Sequence, residues 1–273
     1  MFISPMLLHK SKEPFDDDSY ITELKLDGIR LILSKIEGKI RLYTRHNNDV
    51  TSLFPDLLNV EIPDGTILDG ELIVTDQKGK PDFEAMMERF QSKRSAHQVS
   101  YSVFDVIHYN NANVSYKPLI ERKEILEKII KVDTPLINKV MWMYGRGVDY
   151  FNVVKDHDLE GIVIKNTASL YKPNTRSQEW LKVINYKYTN AYVGGLRKGD
   201  FGVTLVDEDG EYLGLMEFMP ISERKVLYAA HEPLISHETD SFIYLKPDLK
   251  IKVKYRNLTK KGLLRIPSFE EWI

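Results

Sequence analysis

Residues 23–30 read Glu-Leu-Lys-Leu-Asp-Gly-Ile-Arg, and Lys25 is the side chain there best suited to attack an electrophile. Leu24 and Leu26 flank it, and Gly28 follows at a turn. A lysine stripped of water and set near other cations loses its proton more readily, and its amine becomes a nucleophile. The plain alternative is a strand ending in an exposed lysine, followed by an Asp-Gly hairpin. A second pattern lies between Lys246 and Arg265, where eight basic residues stand against one acid, Asp248. Lys250, Lys252 and Lys254 alternate, so they share one face of a strand, with Arg256 next in the series. That face is either solvated or follows a phosphate backbone. The seven histidines show no metal-ligand spacing.

These residues need elements to hold them. Ile21–Leu26 alternates weakly and Ile29–Ile36 clearly. Glu37-Gly38-Lys39 turns the chain into a partner strand at Ile40–Thr44. Ile67–Val74 and Val99–Val106 are further strands. Between them Asp82 caps a helix whose Phe83, Met86, Met87 and Phe90 share a face. Pro118 opens a second helix with Ile125, Leu126, Ile129 and Ile130 inward. Gly161–Lys165 reads as a short buried strand. Beyond residue 188 come short strands at Ala191–Arg197, Phe201–Val206, Tyr212–Phe218 and Leu249–Tyr255. Asp209-Gly210 makes a hairpin turn, and Pro220 starts a helix. The expected class is α+β: a domain of mixed antiparallel sheets with packed helices over residues 1–187, then a small partly open β-barrel of the OB type over 188–273.

Composition narrows the chemistry. The 273 residues contain no cysteine, which removes disulfides, thiol nucleophiles and iron–sulfur clusters. Apolar residues make up 42% and charged residues 29%, an ordinary globular mixture. The net charge is −2, so any basic surface must be local. No apolar run is long enough to span a membrane. The opening MFISPMLLHKSKEPF is too broken by proline and charge for a signal peptide, so a cytoplasmic monomer away from membranes is expected.

Read in order, the chain shows Lys25-x-Asp-Gly-x-Arg30, Thr44-Arg45, Leu68-Asp69-Gly70-Glu71, Val103-Phe104-Asp105-Val106, Glu160-Gly-Ile-Val-Ile-Lys165, and Arg176-Ser177 with Trp180-Leu-Lys182. This series resembles the covalent nucleotidyltransferases: ATP-dependent DNA ligases, RNA ligases and capping enzymes. Pro5-Met6-Leu7, Phe83-Glu-Ala-Met-Met87, Pro118-Leu-Ile-Glu-Arg122 and Arg265-Ile-Pro-Ser-Phe269 most resemble a minimal DNA ligase of bacterial or phage type. The resemblance implies sealing of 5′-phosphate/3′-hydroxyl nicks in duplex DNA through lysyl-AMP and DNA-adenylate, with ATP and Mg²⁺, or Mn²⁺ in its place.

It also implies roles. Lys25 is the nucleophile, and Lys165 and Lys182 are the phosphate cations. Glu71 and Glu160 are oxygen ligands suited to Mg²⁺, with Glu71 also meeting the ribose. Phe104 and Val163 sandwich adenine, Glu23 reads its amino group, Arg30 and Arg45 meet ribose and 5′-phosphate, and Arg176 either contacts ATP or forms an ion pair that holds the fold closed. Lys250, Lys252, Lys254 and Arg256 follow the DNA. Two departures stand out: the family's second lysine after Lys182 is Ile184, and its Arg-x-Asp-Lys tail is not found up to Ile273. The competing readings are an RNA ligase or capping guanylyltransferase, and a catalytically impaired nucleic-acid-binding relative.

Overall fold

A computed structural model describes residues 1–273. The chain divides into two compact units, Met1–Asn185 and Tyr186–Ile273. The first runs β1 (Leu7–Lys10), β2 (Tyr20–Leu24), β3 (Ile29–Ile36), β4 (Lys39–Thr44), β5 (Thr66–Ile73), α1 (Phe83–Gln91), β6 (Ser100–Tyr109), β7 (Ala112–Asn113), α2 (Leu119–Ile129), β8 (Ile137–Lys139), β9 (Trp142–Tyr144), α3 (Gly147–Asp156), β10 (Gly161–Asn166) and β11 (Arg176–Ile184). One sheet has the order β1-β11-β10-β2-β9; the other is β4-β3-β5-β6-β7 with β8 beside β6. Pairing is antiparallel except at β1–β11 and β6–β8.

The hairpin from β3 to β4 turns on Glu37 and Gly38, both at positive φ, which suits a two-residue connection matched to strand twist. At α1, Asp82 accepts from the Ala85 amide, satisfying a donor that the helix start leaves open. The core is dominated by side chains between the second sheet and its helices, among them Leu31, Leu33, Leu68, Val103, Met86 and Leu126. A smaller cluster around Met6, Ile21, Ile32, Ile67 and Trp180 fills the space between the two sheets.

The second unit contains β12 (Lys187–Arg197), β13 (Val203–Val206), β14 (Tyr212–Met216), α4 (Ile221–Ala230), β15 (Ile235–Glu238), β16 (Phe242–Leu245), β17 (Lys250–Tyr255) and β18 (Ser268–Trp272). The long β12 pairs with β13 and, along its length, with β17 at residues 187–192 and β16 at 195–197. β18 pairs with β17, and a parallel bridge joins Ser268 to Phe218 just past β14. The unit has its own core, including Val193, Leu205, Met216, Leu227 and Val253.

Candidate active site

Strand register explains how distant motifs meet. Across the first sheet Val163 pairs with Glu23 on one side and Lys182 on the other, so the three point the same way. Two residues along, Lys165 pairs with Ile21 and Trp180 and joins that face. In the second sheet Arg30 pairs with Glu71. A pocket between these faces is lined by Leu8, Glu23, Lys25, Arg30, Glu71, Phe104, Val163, Lys165 and Trp180, together with Leu24 and Leu26.

Lys25 follows directly on β2. Its backbone N–H donates to Gly161 O (3.0 Å), which fixes the end of the strand. Gly161 has φ 153°, and a Cβ there would lie 2.2 Å from Val183 O; no other residue fits that crossing. The Lys25 ammonium donates to Glu160 Oε2 at 2.7 Å, and the Glu160 side chain is only 4% exposed. Glu160, expected from the sequence as an oxygen ligand for Mg²⁺, is thus also a buried partner of the proposed nucleophile.

Arg30 forms a two-point ion pair with Asp69, at 2.9 and 2.6 Å. Asp69 is fully buried and also accepts from Tyr171 Oη at 2.7 Å. Although burial opposes a charge on Arg30, Asp69 raises its affinity for the proton. The guanidinium stands 5.2 Å from the centre of the Phe104 ring. Burial pushes the Glu71 carboxyl up to about 8, with the Glu160 and Asp69 charges adding to it against Lys25 and Arg30.

The pocket floor holds a cluster of three charges. Glu23 accepts from Lys165 Nζ at 2.6 Å and from Lys123 Nζ. Lys123 also donates to Phe104 O at 2.8 Å. All three residues are almost wholly buried. Lys165 lies between rings, 4.4 Å from the centre of Phe104 and 4.3 Å from that of Trp180. Desolvation lowers its pKa to about 8, with Lys123 adding to the effect and Glu23 opposing it. Beneath, Arg122 and Asp105 form a fully buried two-point pair, at 2.8 and 2.9 Å.

Lys123 does not stand out in the sequence, since it sits in the charged run Glu121-Arg-Lys-Glu124. The only available signal is its place directly after Arg122 in the ligase-like Pro118–Arg122 motif. Of the expected site residues, Glu23, Lys25, Arg30, Glu71, Phe104, Val163 and Lys165 come together as pocket lining. Glu160 joins them through Lys25, and Lys182 through its register with Val163. Arg45 and Arg176 do not line the pocket: Arg45 is exposed beyond β4 against His46, and Arg176 is exposed at the start of β11, donating to Leu8 O.

No group of three or more Asp, Glu or His side chains forms a closed metal cage. Glu160 and Glu71 beside Lys25 fit Mg²⁺, which keeps water and takes phosphate oxygens alongside one or two protein carboxylates, provided the Glu71 carboxyl gives up its proton to the arriving cation. The basic face also differs in space from its reading in sequence. Lys252 and Lys254 are ion-paired with Glu271 (2.9 Å) and Glu270 (2.5 Å), residues that lie beyond the basic segment.

A family model for the ATP dependent DNA ligase domain matches residues 5–183. This chain belongs to the ATP-dependent DNA ligase family. It is 52% identical over 272 residues to the SPbeta prophage-derived DNA ligase-like protein LigB of Bacillus subtilis (strain 168), covering 100% of this chain and 99% of that protein. It is 26% identical over 293 residues to the multifunctional non-homologous end joining DNA repair protein LigD of Mycobacterium tuberculosis (strain ATCC 25618 / H37Rv), covering 98% of this chain but 38% of LigD. Among solved structures, mycobacterial DNA ligase D complexed with ATP and MES aligns over 99% of this chain and 95% of that one, at TM-score 0.64 and 25% identity. A Lig E DNA ligase shares the fold at TM-score 0.71 and 17% identity, over 98% of this chain and 99% of that one. No helix is long and apolar enough to cross a membrane.

Proposed function

We propose that this protein is an ATP-dependent DNA ligase that seals 5′-phosphate/3′-hydroxyl nicks. The observation that carries the reading is Lys25 at the mouth of a pocket with Glu160 and Glu71 beside it and a ring-lined floor below. The Lys25 amine attacks the α-phosphorus of ATP in line. The ammonium first gives up a proton to solvent; the free amine then forms the phosphoramidate N–P bond as the bond to pyrophosphate breaks, and the second proton on nitrogen passes to solvent. Glu160 orients the amine through its hydrogen bond. The AMP then passes to the 5′-phosphate of the nick, and the 3′-hydroxyl displaces it.

Charge neutralisation and positioning do most of the work in such transfers. Phe104 and Val163 clasp the base. Arg30, held by Asp69, faces ribose and phosphate with Glu71. Lys182 is the phosphate cation, and Lys165 with Glu23 closes the base end of the pocket rather than reaching the α-phosphate. Glu71 and Glu160 would hold Mg²⁺, which when bound offsets charge on the triphosphate. Residues 186–273 are read as an OB barrel: β12-β13-β14, then α4, then β17-β18, closed by the parallel Phe218–Ser268 bridge, support that topology. The face of β17 with Lys250, Lys252 and Lys254, continued by Arg256, is the phosphate path for DNA.

Incubation with ATP and Mg²⁺ followed by intact-mass measurement tests the first step. One AMP is expected on the wild-type protein, mapped to Lys25 and absent from Lys25→Ala. Adduct on a different lysine, or preferential transfer from GTP, would overturn the reading.

A further inference from the structure

On β17 the three alternating lysines each lie over a tyrosine: Lys250 over Tyr192 (5.5 Å), Lys252 over Tyr188 (5.7 Å) and Lys254 over Tyr186 (5.6 Å). β18 runs along the other edge of β17 and carries Glu270 and Glu271. Consecutive residues of a regular strand point to opposite faces, so only one of these glutamates could reach the lysine face. The register resolves this. Lys252 pairs with Glu271 and Val253 with Phe269, leaving Glu270 as an extra residue. This bulge turns both carboxylates to one side. Glu271 meets Lys252 and Glu270 meets Lys254, as described above. The strand is anchored rather than loose: Phe269 packs in the core, and Trp272 Nε1 donates to Glu223 at 2.7 Å.

Two of the three lysines thus already hold an anion where a DNA phosphate would sit. Resting on the reading of the β17 face as the DNA path, we propose that Glu270 and Glu271 are an internal competitor for DNA phosphates, and that the β18 bulge exists to place them. A phosphate gains the lysine only by displacing a carboxylate, and the two carboxylates repel the approaching backbone. DNA affinity is thereby held below what the lysines alone would give, which favours release of a long polyanion.

The test compares wild type, the double variant E270Q/E271Q, and a control D209N/E211Q that removes the same charge at the exposed β13–β14 turn. Each is titrated with nicked duplex at several salt concentrations, alongside K250A/K252A/K254A. Exposed ion pairs are individually weak, so the combined gain for E270Q/E271Q is about three- to thirtyfold in affinity. The plot of log affinity against log salt steepens by roughly one to two units, because more phosphates are neutralised without exchange. The control gains less on both measures. If the triple alanine variant binds as wild type does, the DNA path lies elsewhere and the proposal falls with it. If triple alanine weakens binding but E270Q/E271Q matches the control, the path stands and the competitor is refuted. Adenylation of Lys25, followed in the same samples, reports separately on the chemical reading.

Discussion

Glu71 holds its proton far above the usual carboxylate range, at about pH 8 against 4.5 for the free group. Between those values the folded protein binds more protons than the unfolded chain. The group's contribution to stability is therefore full below about pH 4.5 and is lost as pH rises through 8. Glu71→Gln is permanently neutral, so its melting temperature should fall less than that of wild type between pH 5 and pH 8. Parallel pH profiles for the two proteins would show that the carboxylate is not desolvated in the pocket. Single residues are unevenly legible in sequence. Lys25 stands out because its neighbours and the Gly28 turn are local. Lys123 does not, because its partner Glu23 lies 100 residues away. A buried ammonium is tolerable only when paired, and no local pattern announces a partner at that separation.

Elements declare themselves where their signals are local and disappear where they are not. The β3–β4 hairpin follows from alternation and a two-residue turn, and α1 from its aspartate cap. The helix α3 escapes sequence reasoning: Gly147-Val-Asp-Tyr-Phe-Asn-Val-Val-Lys-Asp is poor in helix formers. Its start is satisfied from afar, by Asp16 Oδ1 accepting from the Val148 amide at 2.9 Å, and Phe151 and Val154 hold it against β10. β18 escapes as well, and with it the carboxylates opposite the basic strand. For β17 the expectation is quantitative. Replacing Lys250, Lys252 and Lys254 with alanine should weaken nicked-duplex binding whatever its sequence. It should also flatten the salt dependence by about one unit for each phosphate no longer neutralised, leaving adenylation of Lys25 largely intact. An unchanged slope would remove this strand from the DNA path.

At the scale of the molecule, the two units bury separate clusters of side chains, one group before residue 186 and the other after it. Domains with their own cores unfold as separate cooperative events when little couples them. Calorimetry should resolve two transitions. Gly28→Ala should lower only the one belonging to residues 1–185, since the new Cβ would stand 2.3 Å from Leu72 O and force apart strand and turn. An overpacking cost of about 1–3 kcal/mol corresponds to a drop on the order of 5 °C for a unit of this size. A single transition, or one in which both units shift together, would contradict this. The same division explains why overall charge is a poor guide: a chain of net charge −2 keeps its basic stripe on one strand of one unit.

Trp180 gives the site an optical property. The indole is wholly buried, donates to Ser169 Oγ at 3.0 Å, and has the Lys165 ammonium against its face. Indole emission responds to a charge held at such a distance, and desolvation lowers the Lys165 pKa to about 8. The protein thus carries a built-in fluorophore in the lining of its pocket. On the reading of Phe104 as the platform for the base, the emission of Trp180 should shift as Lys165 titrates and again as ATP binds, over a background from Trp142 and Trp272, without any attached dye.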